Sequence, residues 1–330
     1  MFRRRGRRRV LAMDLQDSVL RVLVRPHEDG DEWLLYEAAV PEGSLEDGSI
    51  QDEIGYFTWL KGRISEWGLK HDTVRYFVPD NSVMMKVIEV PLEIDRVSLK
   101  GYAQMEIGRS IQLPFENPLI DVYDPIADDQ KATLFAAPSE EVMRFADFLD
   151  DAGLLPKIAD LRALSAIRYF TKRDYFKTDK SYLLVEWLMT GVVVTIYRNG
   201  EVEFLRYQPF EKEKGVYRSY AEGDDIKFRL DGDAETYRYQ LAEQVTELER
   251  MMTFYRFSIH KGDIAVEEIV SFGESPELDY IDGLLRENLS FPQVTTVRDE
   301  DVRKFYNGFG SSDVSLIGLA LKGDVHESGN

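Results

Sequence analysis

The chain has 330 residues, 41 of them Lys or Arg and 60 Asp or Glu, and a net charge of −19. Its length and 44% hydrophobic content support two domains with substantial cores, and its acidity argues against a nucleic-acid surface over the body of the protein. Cysteine is absent, which excludes disulfides and thiolate metal sites, and no run reaches the ~18 apolar residues that would span a bilayer as a helix.

One segment departs from the acidic body. Residues 3–9 read RRRGRRR, placing Arg3, Arg4, Arg5, Arg7, Arg8 and Arg9 in a single basic stretch. Their mutual repulsion and lack of apolar surface predict a disordered arm over 1–9. Each cation near an anionic leaflet is worth about 1 kcal/mol, so the arm is suited to a membrane surface. The plainer alternative is a solubilising tail. No signal peptide fits residues 1–10, which carry no apolar segment after their charges.

Residues 10–24, VLAMDLQDSVLRVLV, read as an apolar strand, a polar turn and a second apolar strand. A polar loop follows at 27–31, then a strand near 32–40. Ile50, Ile54, Phe57, Ile64 and Trp67 recur at helical spacing, with Gly68 placed to end the helix. Residues 73–78, TVRYFV, predict a buried strand closed by Pro79.

Residues 80–156 have a different texture. A strand at 82–90 ends at Pro91. Leu99, Ala103, Ile107 and Ile111 form an i, i+4 stripe that predicts a helix stopping before Pro114. A strand at 131–137 leads to a helix capped by Ser139, with Glu140 and Glu141 in its first turn and Gly153 at its end. Strand, helix, strand, helix predicts a small inserted α/β subdomain. Residues 158–170 predict a helix leading into the second half.

That half opens on a second strand pair, 181–206, with its turn at 186–190. Residues 212–235 are polar and predict an irregular connection; Asp231-Gly232-Asp233 lacks the later ligands of a calcium loop. A long helix spans roughly 234–257, with Leu241, Val245, Leu248, Met252 and Tyr255 on one face. A strand at 268–272 ends at Gly273, Leu278, Ile281 and Leu285 mark another helix, and 314–321 is a small apolar segment before a polar tail.

The order of these pieces resembles the PilM family, actin-like proteins of type IV pilus and competence-type assembly systems related to FtsA. Asp14 opens a turn like the first phosphate turn of the actin-like superfamily. Pro91-Leu92 precedes a helix running to Leu113-Pro114. Residues 134–160, LFAAPSEEVMRFADFLDDAGLLPKIAD, are similar to the family's strand, helix and "aGL.P" segment. Phe204-x-Arg206, the helical LAEQVTELERMMTFY of 241–255, and Ile317-Gly318-Leu319-Ala320-Leu321 follow in family order. The resemblance covers nearly the whole chain.

It implies an α/β, actin-like (ribonuclease H-like) two-lobed fold. The first lobe would comprise 10–79 and 157–180, with an inserted subdomain at 80–156. The second would comprise 181–330, its C-terminal helix returning to the first. It also implies a partner: the N-terminal cytoplasmic tail of a PilN-like bitopic membrane protein, in a groove for which Met84, Lys86, Ile107 and Ile111 are candidate lining residues. The expected location is the inner face of the cytoplasmic membrane. Whether the chain self-associates is left open.

The resemblance further places a nucleotide site at Asp14, Gln16, Asp17, Ser18, Glu186, Thr190 and Gly273. The family's phosphate turns use Asp-x-Gly and small or hydroxylated residues, because close backbone approach to phosphate favours glycine. Here Gln16 and Leu188 stand at the glycine positions, Asp17 adds a negative charge, Trp187 replaces a small residue, and Ser271-Phe272-Gly273-Glu274 keeps one glycine of the adenosine-side pair. These departures make the site vestigial, with no cofactor and no catalysis expected. The alternatives are a working ATPase using ATP and magnesium at an unusual site, or an FtsA-like division adaptor. Other chemistry finds no motif: there is no G-x-x-x-x-G-K-[ST], no G-x-S-x-G, and His27, His71, His260 and His326 are scattered.

Overall fold

The computed structural model describes residues 9–25, 32–46, 48–124, 129–223, 225–289 and 292–323, without the side chain of Asp225. Arg3, Arg4, Arg5, Arg7 and Arg8 lie outside the described residues. Arg9, read as part of the free arm, is instead fastened to the body. Its backbone N–H and its Nε donate to the two carboxylate oxygens of Asp72, at 3.1 and 2.9 Å, and Nη2 donates to the Gly68 carbonyl.

The first lobe opens on an antiparallel meander, β1 (Val10–Leu15), β2 (Val19–Arg25) and β3 (Leu34–Ala39). A two-residue ladder, β4 (Leu45–Glu46) and β5 (Ser49–Ile50), leads to helix α1 (Glu53–Glu66). The Asp52 side chain caps α1 at the Gly55 N–H, and Gly68, at φ +65°, follows its end. Strand β6 (Thr73–Phe77) then lies parallel to β1.

The inserted subdomain comprises β7 (Met84–Glu89), α2 (Leu99–Glu106), β8 (Pro118–Tyr123), β9 (Lys131–Pro138) and α3 (Ser139–Asp151). Its sheet order is β7-β9-β8, all antiparallel. The predicted long helix through Ile111 stops at Glu106. Gly108 takes φ +80°, and Ile107 and Ile111 bridge each other across the turn. Ser139 is the first helical residue, not the cap. Strand β8, absent from the elements predicted above, alternates weakly because half of it faces solvent.

The chain returns to the first lobe as β10 (Leu155–Asp160), parallel to β6, giving the order β10-β6-β1-β2-β3. Only then does helix α4 (Arg162–Thr171) begin. The predicted helix at 158–170 therefore starts late: its first three residues pair with β6, and Leu161 is extended.

The second lobe repeats the plan. Strands β11 (Ser181–Trp187), β12 (Gly191–Arg198) and β13 (Glu201–Pro209) form a meander. The expected irregular stretch after it is a hairpin, β14 (Val216–Glu222) and β15 (Asp225–Asp231), anchored by Val216 in the core with Tyr217 and Leu230 packed against it. Helix α5 (Ala234–Phe254) ends in a π-turn at Tyr255–Ile259. Then come β16 (Glu268–Gly273), α6 (Leu278–Asn288), β17 (Gln293–Thr296), α7 (Asp299–Arg303) and α8 (Val314–Ala320). Sheet order is β13-β12-β11-β16-β17, with β16 parallel to both β11 and β17.

Each five-stranded sheet is apolar on both faces. Leu11, Met13, Leu20 and Val22 pack on Tyr56 and Leu60 of α1. Leu183, Val185 and Val194 pack on Leu241 and Leu248 of α5. The opposite faces share one core: Ala12 and Leu23 of the first sheet and Tyr182 and Leu184 of the second join Ala166 of α4 and Leu316 of α8. Helices α4 and α8 thus fill the space between the lobes. They touch at Gly318, where a Cβ would lie 1.9 Å from the Ser165 carbonyl oxygen. Since overpacking of a rigid contact costs about 1–3 kcal/mol or more, Gly318→Ala is expected to lower the urea midpoint clearly, whereas Gly283→Ala, inside α6 with open space around it, should raise it slightly, as alanine favours a helix interior by up to about 1 kcal/mol.

Candidate functional site

The two meanders point their first turns at the interlobe cleft. In the first, the Gln16 N–H bonds the Val19 carbonyl at 3.0 Å; in the second, the Leu188 N–H bonds that of Gly191 at 2.9 Å. Both amides are thus used to close hairpins. Trp187, Leu188 and Met189 are buried, so the second turn is apolar packing. Gly273 has a steric reason to be glycine: at φ +129°, a Cβ there would stand 2.4 Å from the Trp187 carbonyl oxygen. Its N–H donates to Ser311 Oγ at 3.0 Å.

Between the turns lies Arg162, the first residue of α4, and it is buried. Nη1 and Nη2 donate to the two oxygens of Asp14 at 3.0 and 2.6 Å. Nε donates to Asp80 at 2.8 Å, and Nη1 reaches Glu186 Oε1 at 3.5 Å. The guanidinium sits 4.5 Å from the centre of the Phe77 ring. Glu186 is completed by α8, whose Ser315 hydroxyl donates to Oε2 at 2.6 Å.

A second buried arginine, Arg21, stands opposite Asp14 in the β1–β2 register. It donates to Glu37 at 2.8 Å and, across the cleft, to Glu274. Glu274 in turn accepts the Met189 N–H at 2.9 Å. The lobes also meet where the β14 hydroxyl of Ser219 donates to the Ser18 carbonyl, and where Lys212 pairs with Glu46 at 2.7 Å.

Of the residues expected from sequence at a nucleotide site, Asp14 and Glu186 are brought together through Arg162. Gln16 Nε2 donates to Asp14 at 3.1 Å, and Asp17 accepts the Gly48 N–H at 3.0 Å. Ser18 Oγ and Gln16 Oε1 are buried with no hydrogen-bond partner among the described residues. Thr190 contributes its carbonyl to Phe210 N–H and the Tyr207 hydroxyl. Sequence reasoning missed Arg162, Arg21, Asp80, Glu274 and Ser315. Arg21 had a signal: a lone charge inside the apolar strand VLRVLV must be paired if buried. Arg162 had none, because its partners are 148 and 24 residues away.

The cavity left at the turns is about 70 Å³, lined by Gln16, Asp17, Asp80, Arg162 and Thr190 among others. Sites for drug-sized ligands are typically ~300–1,000 Å³. The residues present do not fit a magnesium–nucleotide: the Arg162 guanidinium engages both Asp14 and Glu186, and the Gln16, Leu188 and Met189 amides are already bonded within the protein. A larger groove, about 1,130 Å³, lies between the subdomain and the first lobe, with Tyr197, Gly200 and Val202 of the second lobe also lining it. Successive residues of β8 and of β10 line it, with Leu164 and Ile167 of α4 at its floor. Both strands are sheet edges.

None of Met84, Lys86, Ile107 and Ile111, expected at a partner groove, lines this one. Met84 and Lys86 are on β7, the opposite edge of the subdomain sheet, and Lys86 Nζ donates to the Gln112 carbonyl. Ile111 belongs to the subdomain core, with Ile107 packed against it. The helical stripe that suggested a groove is core packing.

No protein-family model and no curated protein sequence matches the chain. Among solved structures, a chain of the PilM–PilN type IV pilus biogenesis complex aligns over 94% of this chain and 97% of its own, with a TM-score of 0.74 and 17% identity. MreB5 of Spiroplasma citri bound to ADP aligns over 96% and 97%, with a TM-score of 0.52 and 10% identity. The fold is actin-like. In detail it is PilM-like, with the resemblance running the length of the chain.

In this actin-like cleft the acids differ in state. Burial would raise Asp14, but the charge and hydrogen bonds of Arg162 outweigh it and hold the carboxyl below its ordinary value. For Glu186 burial wins over Arg162 and Ser315 and pushes it up to about 8. Burial also raises Asp80. One guanidinium facing three carboxylates is thus balanced in part by a proton on Glu186.

Removing one partner of a buried ion pair costs about 3–5 kcal/mol. Arg162→Met is therefore expected to lose that much in urea unfolding, with a substantial part recovered when Asp14→Asn and Asp80→Asn are added. For Glu186, the folded carboxyl keeps its proton until about pH 8, whereas the unfolded one loses it near 4.5. The contribution of that proton is full below pH 4.5 and lost as pH rises to 8. Stability measured against pH should therefore fall across that window relative to Glu186→Gln and run parallel to it above.

Proposed function

We propose that the chain is a non-catalytic actin-like scaffold of a type IV pilus or competence-type assembly system, docking the cytoplasmic tail of a PilN-like bitopic protein at the inner face of the membrane. The observation that carries this reading is the exchange of one site for another. Arg162 occupies the position between the phosphate-type turns, while an open groove stands between β8 and β10.

The groove suits an extended peptide. Edge strands present unpaired backbone donors and acceptors, and peptides commonly bind by adding a strand to such an edge. Leu119, Leu164 and Ile167 supply apolar contact, and Lys157 and Lys172 stand at its margin. The likeness to a PilM–PilN complex chain supports a tail of that kind as the occupant. Among the described residues no helix is long and apolar enough to cross a membrane.

Two titrations test this. A fluorescent peptide of the N-terminal cytoplasmic tail of a pilus-type bitopic protein should bind the folded chain with micromolar affinity, and Leu119→Asp should weaken it by about tenfold or more, as loss of an apolar anchor costs ~1–3 kcal/mol. Calorimetry with Mg-ATP should show no binding. Low-micromolar Mg-ATP binding, or a well-folded chain that ignores the tail, overturns the proposal.

A further inference from the structure

The end of α5 carries an exposed feature that the scaffold reading does not use. Core positions along α5 recur as Leu241, Val245, Leu248, Met251 and Tyr255, all buried. Continued α-helical spacing would bury Ile259 next. The π-turn prevents this: the His260 N–H bonds the Tyr255 carbonyl, and the extra residue in that turn shifts the facing of Ile259 and His260. His260 turns inward, its ring 4.6 Å from that of Tyr255 and its Nε2 3.3 Å from Glu203. Ile259 turns outward and is 39% exposed, beside Phe254 at 51% and Phe257 at 58%. A π-turn costs helix stability, and such turns concentrate at functional positions.

The charges around this patch are the reverse of the chain's. From 250 to 263 the segment carries Arg250, Arg256 and Lys261 against Asp263 alone, in a protein of net charge −19. Arg256 lies 5.1 Å from the Phe257 ring centre. Arg250 pairs with Glu247, but Arg256 and Lys261 are exposed and form no ion pair among the described residues. Glu203 faces inward to Tyr255 and His260, and Glu249, one turn earlier, is exposed.

We propose that this turn is a lipid-contact site, at which Phe254, Phe257 and Ile259 enter the headgroup–acyl boundary of an anionic bilayer and Arg256 and Lys261 meet lipid phosphates. Aromatic and aliphatic side chains rimmed by cations are the composition of interfacial anchors. An acidic protein body is repelled by an anionic leaflet, so contact needs a local cationic, apolar point. One weak signal gives only reversible attachment, and stable attachment takes two; the arginines of 3–8 supply charge without an apolar anchor, and this turn supplies the anchor. The proposal rests on the membrane-side reading above but concerns a surface separate from the groove.

Flotation of the full chain with phosphatidylcholine–phosphatidylglycerol vesicles, and with phosphatidylcholine alone, tests it. The chain should float with the anionic vesicles. Phe257→Ser with Ile259→Ser, and separately Arg256→Gln with Lys261→Gln, should each reduce this by about tenfold, with unchanged circular dichroism and unchanged affinity for the tail peptide. Emission of the Phe257→Trp variant, read as its difference from the parent chain with its four native tryptophans, should be blue-shifted on anionic vesicles. Leu119→Asp in the groove should leave vesicle binding as it was, so failure of the groove reading is seen separately. Parental flotation by both double variants, unshifted emission from the Phe257→Trp variant, or loss of tail-peptide affinity in place of vesicle binding overturns the proposal.

Discussion

The buried guanidinium of Arg162, shared by Asp14, Asp80 and Glu186, is the interaction on which the rest of the cleft depends. Asp14 and Glu186 would be costly alone in a dry interior, and so would the arginine, while Asp80 keeps some contact with solvent. Together they tie the end of β1, the turn after β6 and the end of β11 to the first residue of α4. Arginine suits the position because it stays charged and offers a planar fork that two carboxylate oxygens of Asp14 can accept at once. Burial raises Glu186, and the proton it keeps supplies what the single cation lacks.

The closed cleft depends on several contacts acting alike. Arg21 reaches Glu274 across the lobes, Ser219 reaches back to Ser18, and α4 and α8 fill a core common to both sheets. The cleft's electrostatics and the groove between β8 and β10 meet at one helix, because α4 presents Arg162 to the first and Leu164 and Ile167 to the second.

The lobes were legible in the sequence because their strands are apolar on both faces and their helices keep a regular period. Paired turns at Asp14 and Glu186 stood out for the same reason. What escaped was local structure decided by distant partners. β10 looked helical because Ile158 and Ala159 suit either state, and only pairing with β6 selects the strand. The β14–β15 hairpin looked irregular because few of its residues are buried and the polar and apolar types along β14 do not alternate. The stripe through Ile107 and Ile111 had the right period, yet Gly108 ended the helix and turned both residues into core. Arg162 was invisible as a site residue because charge pairing across 148 residues leaves no local pattern. Ile259 was not read from the sequence at all: helical spacing continued past Tyr255 would bury it, and one π-turn turns it outward.

The position of α8 bears on how the protein is made. This helix, at Val314–Ala320, lies against β1, β2, β6 and α4, all of which leave the ribosome long before it. Until it arrives, Ala12 and Leu23 lack their cover and Glu186 lacks the Ser315 hydroxyl. Contacts of such long sequence separation form late. The first lobe is therefore the first to be synthesised and among the last to be finished, and a nascent chain released short of Leu321 carries an open apolar face for its whole lifetime.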